Sequence, residues 1–193
     1  MKILVINNHT KHLPDLTAAL AGHDLEIREY RPGMDFACAS KDLIVLSGGG
    51  GEGLEIHDEH KPGKLWYEDQ MRFVKNCQKP IIGICMGFEV VSRAYGAKVA
   101  KMQRGVDQIF MEFSTTPAGE RLLGKTRIKQ FEAHDWHVQQ APKGFKVLAK
   151  SDIGIEIIQH EKLPIFATQF HPEKGGTLQL KGLVNQIYIS ARA

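Results

Sequence analysis

The sequence predicts an α/β fold, with a mostly parallel sheet, helices on both faces and an additional antiparallel or mixed edge. Three observations lead to this prediction. In the first half of the chain, short apolar runs of strand length alternate with segments of helical periodicity. One of these runs leads directly into a glycine-flanked cysteine and a further helical pattern. In the second half, alternating segments are separated by turn-rich pieces, which is typical of antiparallel strands.

The first part of the chain has the pattern of a βαβ unit followed by a third strand. Residues 2–7 are a short apolar run rich in β-branched residues, as in a buried parallel strand. Residues 13–20 place leucine and alanine at helical spacing, and a glycine follows. Residues 24–30 and 42–47 are predicted strands, and residues 65–77 are a predicted helix packed on the sheet.

The second part is predicted to be strand-rich and to end in a helix. Neither a linker composition nor an internal repeat appears, and 193 residues suit one well-buried domain, so we expect a single domain over residues 1–193. The predicted strands are 107–113, 126–131, 145–149 and 153–159; turns are predicted at 116–119 and 141–144, and the closing helix at 178–188.

Composition excludes several classes of function. The formal net charge is only +3, and the mild basic cluster of Lys125, Arg127 and Lys129 has the alternation of a solvated strand face. We therefore expect no nucleic-acid partner. No apolar run reaches the ~20 residues that span a bilayer, so no membrane partner is expected. Three cysteines without paired or C-x-x-C spacing fit a reducing cytoplasm, with Cys38 and Cys77 as structural residues.

The segment 80–91 carries the candidate nucleophile. An apolar strand runs into Gly83-Ile84-Cys85-Met86-Gly87 and continues as a helix with a buried face. A cysteine at such a turn stands at the carboxyl end of the sheet, and the free N–H groups of the helix start are expected to lower its pKa. The alternative is that Cys85 is a small buried hydrophobic residue, as most free cysteines are.

A candidate base lies near the end of the chain. An apolar strand at 165–170 leads into His171, and Glu173 follows after a proline. A catalytic histidine needs a third group to fix its tautomer and to stabilise the imidazolium. Cys85, His171 and Glu173 are therefore candidates for nucleophile, base and orienting acid.

These segments resemble the class I glutamine amidotransferase family. Its G-x-C-x-G-x-Q motif and its later F-H-P-E stand here as residues 83–89 and 170–173, and its strand-end S-G-G-P loop resembles residues 46–51. Order and spacing agree across nearly the whole chain. The resemblance implies a three-layer, flavodoxin-like fold and a Cys85-His171-Glu173 triad. It implies no cofactor and no metal.

The resemblance also implies roles for residues around the triad. The Gly49 and Met86 N–H groups would form the oxyanion hole, Gly51 would lie along the substrate, and His134 with Asp135 would border the substrate pocket. Without the resemblance, the glycine run would be a flexible turn or a phosphate-binding loop, although the latter's Gly-Lys-Ser/Thr ending is absent.

One residue departs from the family pattern. Glu89 stands where the family has glutamine, a position that helps to hold the amino-acid end of the substrate. A carboxylate attracts an ammonium group but repels a nearby carboxylate. Free glutamine is therefore less firmly predicted as the substrate than hydrolysis itself.

Three functions are open from the sequence. The preferred one is a glutaminase that releases ammonia from glutamine through a thioester for a separate ATP-using synthase subunit, such as that of a two-chain GMP synthase. The second is a stand-alone γ-glutamyl hydrolase or peptidase, and the third is a non-catalytic binding subunit of the same fold. His57 and His60 have the side chains for a metal site, but a solvated loop is favoured because no third ligand is identifiable nearby.

Overall fold

The computed structural model describes residues 1–50 and 65–191. The described strands are β1 (Lys2–Asn8), β2 (Asp24–Glu29), β3 (Leu43–Gly49), β4 (Ile81–Ile84), β5 (Val99–Thr115), β6 (Arg127–Val138), β7 (Phe145–Lys150), β8 (Ile155–His160) and β9 (Ile165–Thr168). The described helices are α1 (Leu13–Ala19), α2 (Glu68–Asn76), α3 (Met86–Ala94), α4 (Pro117–Leu123), α5 (Leu180–Ser190) and a 3-10 helix, Pro172–Lys174.

All of these strands belong to one sheet, in the order β2-β1-β3-β4-β9-β8-β7-β5-β6. The first five strands in this order pair in parallel, and the remaining pairs are antiparallel. The predicted fold class is thus confirmed, with a parallel part of flavodoxin-like order and a mixed edge. Because β3, β4 and β9 are adjacent and parallel, their carboxyl ends meet at one edge of the sheet.

Helices cover both faces of the sheet. The side chains of β3 alternate between two apolar clusters, Leu43 and Val45 in one and Ile44 and Leu46 in the other. The first cluster is closed by α1, α4 and α5, and the second by α2 and α3. A parallel strand that is buried on both faces needs a continuous apolar run, and residues 43–46 supply it.

One prediction for the second half was wrong, and another was correct in type but too short. Residues 116–119, predicted as a turn, begin α4: the Thr116 hydroxyl accepts the Gly119 N–H and caps the helix, and Gly124 ends it in the left-handed conformation. The predicted short strand at 107–113 belongs to the 17-residue β5. Register shifts between Lys101 and Ile109 interrupt the alternation of side chains between the two faces of β5. The full length of the strand therefore could not be predicted from the sequence pattern.

Candidate active site

Cys85 lies at the junction of β4 and α3, as predicted. Its backbone has φ 49° and ψ −105°, a strained conformation for a residue with a Cβ. The Cys85 N–H donates to the Thr168 carbonyl at 2.8 Å, which extends the β4–β9 pairing up to the turn. The Met86 N–H donates to the Cys85 sulfur, and the thiol lies 3.8 Å from the Ala133 carbonyl oxygen.

The two glycines of the cysteine motif are required by close packing. A Cβ on Gly83 would lie 2.6 Å from the Gly87 carbonyl oxygen, and one on Gly87 would lie 2.4 Å from the Leu46 carbonyl oxygen. Both contacts are with backbone, which cannot move aside without shifting β3 or α3. The spacing of the motif therefore lets the helix start press against the sheet directly behind Cys85.

His171 and Glu173 form the second part of the site. The imidazole Nδ1 is 2.8 Å from the Glu173 Oε1, and both side chains are almost fully buried. Since a carboxylate only accepts, Nδ1 carries the proton and Nε2 is left as the proton acceptor. Nε2 is buried and has no hydrogen-bond partner among the described residues.

Cys85 and His171 both lie against Gly48. The position of a Cβ built on Gly48 is 2.9 Å from the His171 Cε1 and 3.5 Å from the Cys85 Cβ. The imidazole and the cysteine therefore flank the same glycine at the carboxyl end of β3. Parallel strands β3, β4 and β9 bring these residues together from three distant parts of the sequence.

The pKa of Cys85 is opposite in direction to the sequence-based expectation. Burial raises the pKa of the thiol well above its ordinary value, and the charges of Glu89, Glu132 and Glu173 raise it further. The Met86 N–H acts in the expected direction by lowering the pKa, but its effect is smaller. A helix start alone therefore does not hold a thiolate here, and ionisation of Cys85 requires a base that takes the proton.

Of the two residues predicted for the oxyanion hole, Met86 follows Cys85 directly and Gly49 follows Gly48 at the end of β3. Gly49 ends β3 next to Asn8, and a Cβ on Gly49 would lie 1.9 Å from the Asn8 carbonyl oxygen. Asn8 is itself held by Ser47 and by the Gln70 amide, which donates to its Oδ1 at 2.6 Å. Gly51 lies outside the described residues, as do His57 and His60.

Glu89 is buried one turn into α3 and accepts a hydrogen bond of 3.0 Å from the Gln169 amide. Burial raises its pKa to about 7, while the bond from Gln169 and the charges of His134 and Arg93 lower it. Glu89 therefore changes charge near neutral pH. Its carboxyl group is tied to the end of β9, a partner that the sequence did not suggest.

The structure separates the two residues predicted at the pocket wall. His134 is buried, its Nδ1 donates to the Trp136 carbonyl at 2.7 Å, and its Nε2 lies 3.1 Å from Glu132 Oε2. Asp135 is exposed and lies against Gly105 of β5. Successive residues of a strand point to opposite faces, so these two side chains do not line one surface.

Sequence reasoning missed several residues around the site. His12 packs edge-on against His171, with ring centroids 4.8 Å apart, and Phe131 contacts both rings. Glu132 and Glu156 are buried carboxyl groups whose pKa values are raised, mainly by burial. The signal in the sequence was a charged residue inside an apolar strand run, as in Ile155-Glu156-Ile157-Ile158.

Within residues 1–50 and 65–191, no group of three or more His, Cys, Asp or Glu side chains could hold a metal ion. Over the same residues, no helix combines the length and apolar character that crossing a membrane requires.

Comparison with known proteins identifies the family. The sequence profile of the family described as "Glutamine amidotransferase class-I" matches residues 5–191. A GMP synthase (glutamine-hydrolyzing) subunit of Pyrococcus abyssi is 34% identical over 114 residues, or 53% of this chain and 60% of that protein. The Methanosarcina acetivorans protein of the same name is 31% identical over 182 residues, or 92% of this chain and 89% of that protein. The match to the Thermococcus kodakarensis relative spans 53% of its length.

Solved structures share the fold. A Thermoplasma acidophilum protein, provisionally described as a GMP synthase subunit, aligns with a TM-score of 0.79 at 24% identity, covering 99% of this chain and 93% of that one. A glutamine amidotransferase from Thermotoga maritima aligns with a TM-score of 0.70 at 14% identity, covering 100% and 82%. The family profile covers nearly the whole sequence, and the chain therefore belongs to the class I glutamine amidotransferase family.

Proposed function

We propose that this chain hydrolyses the side-chain carboxamide of glutamine with Cys85, His171 and Glu173 as its catalytic residues. The observation that carries the proposal is the shared contact at Gly48, where the cysteine and an imidazole oriented by Glu173 both lie against one glycine. A buried nucleophile, a base with a free nitrogen and an orienting carboxylate form the arrangement used for acyl transfer.

The chemistry has two steps. His171 Nε2 takes the Cys85 proton, the sulfur attacks the amide carbon, and the Gly49 and Met86 N–H groups stabilise the oxyanion. The imidazolium then gives its proton to the leaving nitrogen, so that ammonia departs and a γ-glutamyl thioester remains. In the second step His171 removes a proton from water, which attacks the thioester and releases glutamate and the Cys85 thiol.

A separate synthase subunit is the proposed acceptor of the ammonia. The relatives from Pyrococcus abyssi and Methanosarcina acetivorans are each named as one subunit of a glutamine-hydrolysing GMP synthase. This name supports a separate synthase partner that would consume the ammonia, and we propose that this partner uses ATP. Copurification with a larger synthase chain, and faster glutamine hydrolysis in its presence, are the expected results.

Ammonia release from glutamine by the purified protein tests the proposal. Cys85→Ser should abolish turnover, and Glu173→Gln should lower kcat by about 10²–10⁴-fold because the imidazole loses its orienting charge. Cys77→Ser is the matched control, since Cys77 is buried in the cluster under α2 and its pKa is raised to about 11 by burial. Wild-type turnover in Cys85→Ser would contradict the proposal.

Glu89 supports a second candidate, a γ-glutamyl hydrolase or peptidase that uses the same triad. The carboxyl group stands where the family has glutamine, and its pKa of about 7 makes its charge depend on pH. A comparison of kcat/KM for glutamine with that for γ-glutamyl amides separates the two functions. Inactivity on every γ-glutamyl substrate, together with failure of an electrophilic glutamine analogue to modify Cys85, would instead favour a non-catalytic subunit.

A further inference from the structure

Two cysteines that lie 39 positions apart in the sequence meet on one face of the sheet. The Cys77 sulfur is 3.9 Å from the Cys38 sulfur, and both residues are free thiols. Cys77 follows the last residue of α2 and is buried, whereas Cys38 is half-buried in the loop between β2 and β3. Both belong to the apolar cluster under α2 and α3, while Cys85 belongs to the cluster on the other face.

The loop that carries Cys38 is docked along α2 by contacts other than the sulfur pair. The rings of Phe36 and Phe73 are stacked, with centroids 4.2 Å apart and an interplanar angle of 8°. The Gly33 N–H donates to the Asp69 carboxylate at 2.5 Å. These contacts hold the loop and the helix in place on both sides of the interface, so the two sulfur atoms are kept close without a bond between them.

The two sulfur atoms can come within bonding distance by a small movement. A disulfide bond is about 2.05 Å long, so the sulfur atoms have to approach each other by about 1.9 Å. Cys38 lies in a segment without helix or strand, and Cys77 has an extended backbone, with φ −72° and ψ 128°, beyond the end of α2. Rotation of the two side chains and a shift of the loop therefore leave the hydrogen bonds within α2 and the sheet unbroken.

We propose that Cys38 and Cys77 form an oxidative modification site, at which a low-molecular-weight disulfide converts the two thiols into an intramolecular disulfide bond. The bond joins the loop before β3 to the end of α2. Neither thiol takes part in the proposed hydrolysis, so the site is independent of that function.

The reaction consists of two thiol–disulfide exchanges. Cys38 is the more accessible thiol; after losing its proton to water, its sulfur attacks one sulfur of the oxidant, whose S–S bond breaks and releases the first small thiol. Cys77 then loses its proton and attacks the Cys38 sulfur, which releases the second small thiol. Two protein S–H groups are thereby oxidised to one S–S bond, and the small disulfide is reduced to two thiols that take up the two protons.

Burial makes the second exchange the slower one. It raises the pKa of Cys77 to about 11, the Lys79 N–H lowers that pKa, and the neighbouring Cys38 raises it. Only a small fraction of Cys77 is therefore ionised near neutral pH, and the closeness of the two sulfur atoms compensates for this low fraction.

The bond closes the stretch of chain that contains β3 and α2. This stretch includes Gly48 and Gly49 at the candidate active site and Gln70 of α2, which donates to Asn8 beside Gly49. A bond between residues 39 positions apart restricts the unfolded chain, so the melting temperature should rise by roughly 5–15 °C. The folded positions of β3 and α2 are already set by their packing, so kcat should stay within about twofold of that of the reduced protein.

The test treats the purified wild-type protein with excess oxidised glutathione and maps its peptides without reduction. The expected result is one peptide pair joined through Cys38 and Cys77 in a protein that remains a single chain. The rise in melting temperature should be reversed by dithiothreitol. Three results overturn the proposal: glutathione retained on Cys38 with Cys77 still a thiol, a covalent dimer formed through Cys38, or no reaction at either cysteine.

Three variants serve as controls. Cys38→Ser and Cys77→Ser should each show no rise in melting temperature with oxidised glutathione, and a rise in either would overturn the proposal, because a bound oxidant would then account for it. Cys85→Ser should keep both the joined peptides and the temperature shift. The peptide map of the wild type needs no variant to fold and no substrate, so this proposal and that of glutamine hydrolysis fail separately.

Discussion

Gly48→Ala changes the distance between the two proposed catalytic groups without disturbing the backbone. Gly48 lies inside β3 and is absent from the residues with positive φ among those described, so alanine can adopt its conformation. The added methyl group would lie 2.9 Å from His171 Cε1, 3.6 Å from His171 Nδ1 and 3.5 Å from Cys85 Cβ. Only the contact with Cε1 is shorter than an ordinary van der Waals distance.

The size of the expected effect follows from these distances. Ordinary contact begins at 3.4 Å, so the imidazole has to retreat by about half an ångström. The ring is held by Glu173 at 2.8 Å and by His12 at a centroid distance of 4.8 Å, so it cannot simply rotate away. A misplacement of a catalytic group by about 1 Å can lower the rate by about 10²-fold. We therefore expect kcat to fall roughly tenfold, which corresponds to a rise of about 1.4 kcal/mol in the activation free energy.

The assay is ammonia release at saturating glutamine, with thermal unfolding of the same samples. Gly182→Ala is the matched control: Gly182 lies in α5 with no heavy atom within 4 Å of the added methyl, so kcat should not change and the protein should gain about 0.5–1 kcal/mol. A folded Gly48→Ala protein with wild-type kcat would refute the assignment of His171 as the base in this pocket.

Three further changes test other parts of the structure. Gly87→Ala should destabilise the fold by several kcal/mol and abolish activity, because its Cβ would lie 2.4 Å from the Leu46 carbonyl; a wild-type melting temperature would contradict this packing. Thr116→Ala should lower the unfolding free energy by about 0.5–2 kcal/mol in urea titrations through loss of the α4 cap, with kcat unchanged. The pKa of Glu89 is raised from 4.5 to about 7, so the buried carboxyl group binds its proton more tightly in the folded protein and the free energy of unfolding falls as the pH rises through this window. The free energy of unfolding of Glu89→Gln should therefore rise by up to roughly 3 kcal/mol relative to wild type between about pH 4.5 and about pH 7.5. Equal pH dependence of unfolding in both proteins would contradict the shift.

The predictable part of the site was encoded in local spacing. Cys85 stands between two glycines at a change from strand to helix periodicity, and Glu173 stands two residues after His171; each pattern can be read from a few consecutive residues. The parallel strands could also be predicted, because β1, β3 and β4 carry uninterrupted apolar runs that are buried on both faces. Where one short segment determines the local structure, the sequence is sufficient.

The remaining features depend on contacts between distant segments. Glu132 and Glu156 lie on different strands of the antiparallel edge, and nothing in either segment indicates that the charge of Glu132 acts on the pKa of Glu156. The same applies to Gln169 and Glu89, which are joined by a hydrogen bond across 80 positions. Such pairs are determined by sheet order and register, which a single sequence does not reveal.

The raised pKa of Cys85 changes how the nucleophile must work. A helix start alone favours a resting thiolate, but burial and the carboxyl groups of Glu89, Glu132 and Glu173 outweigh the Met86 N–H. In the proposed mechanism the resting residue is therefore a thiol, and its proton moves to His171 during the attack. Glu173 makes that transfer feasible because it stabilises the imidazolium. A neutral thiol also resists adventitious alkylation and oxidation.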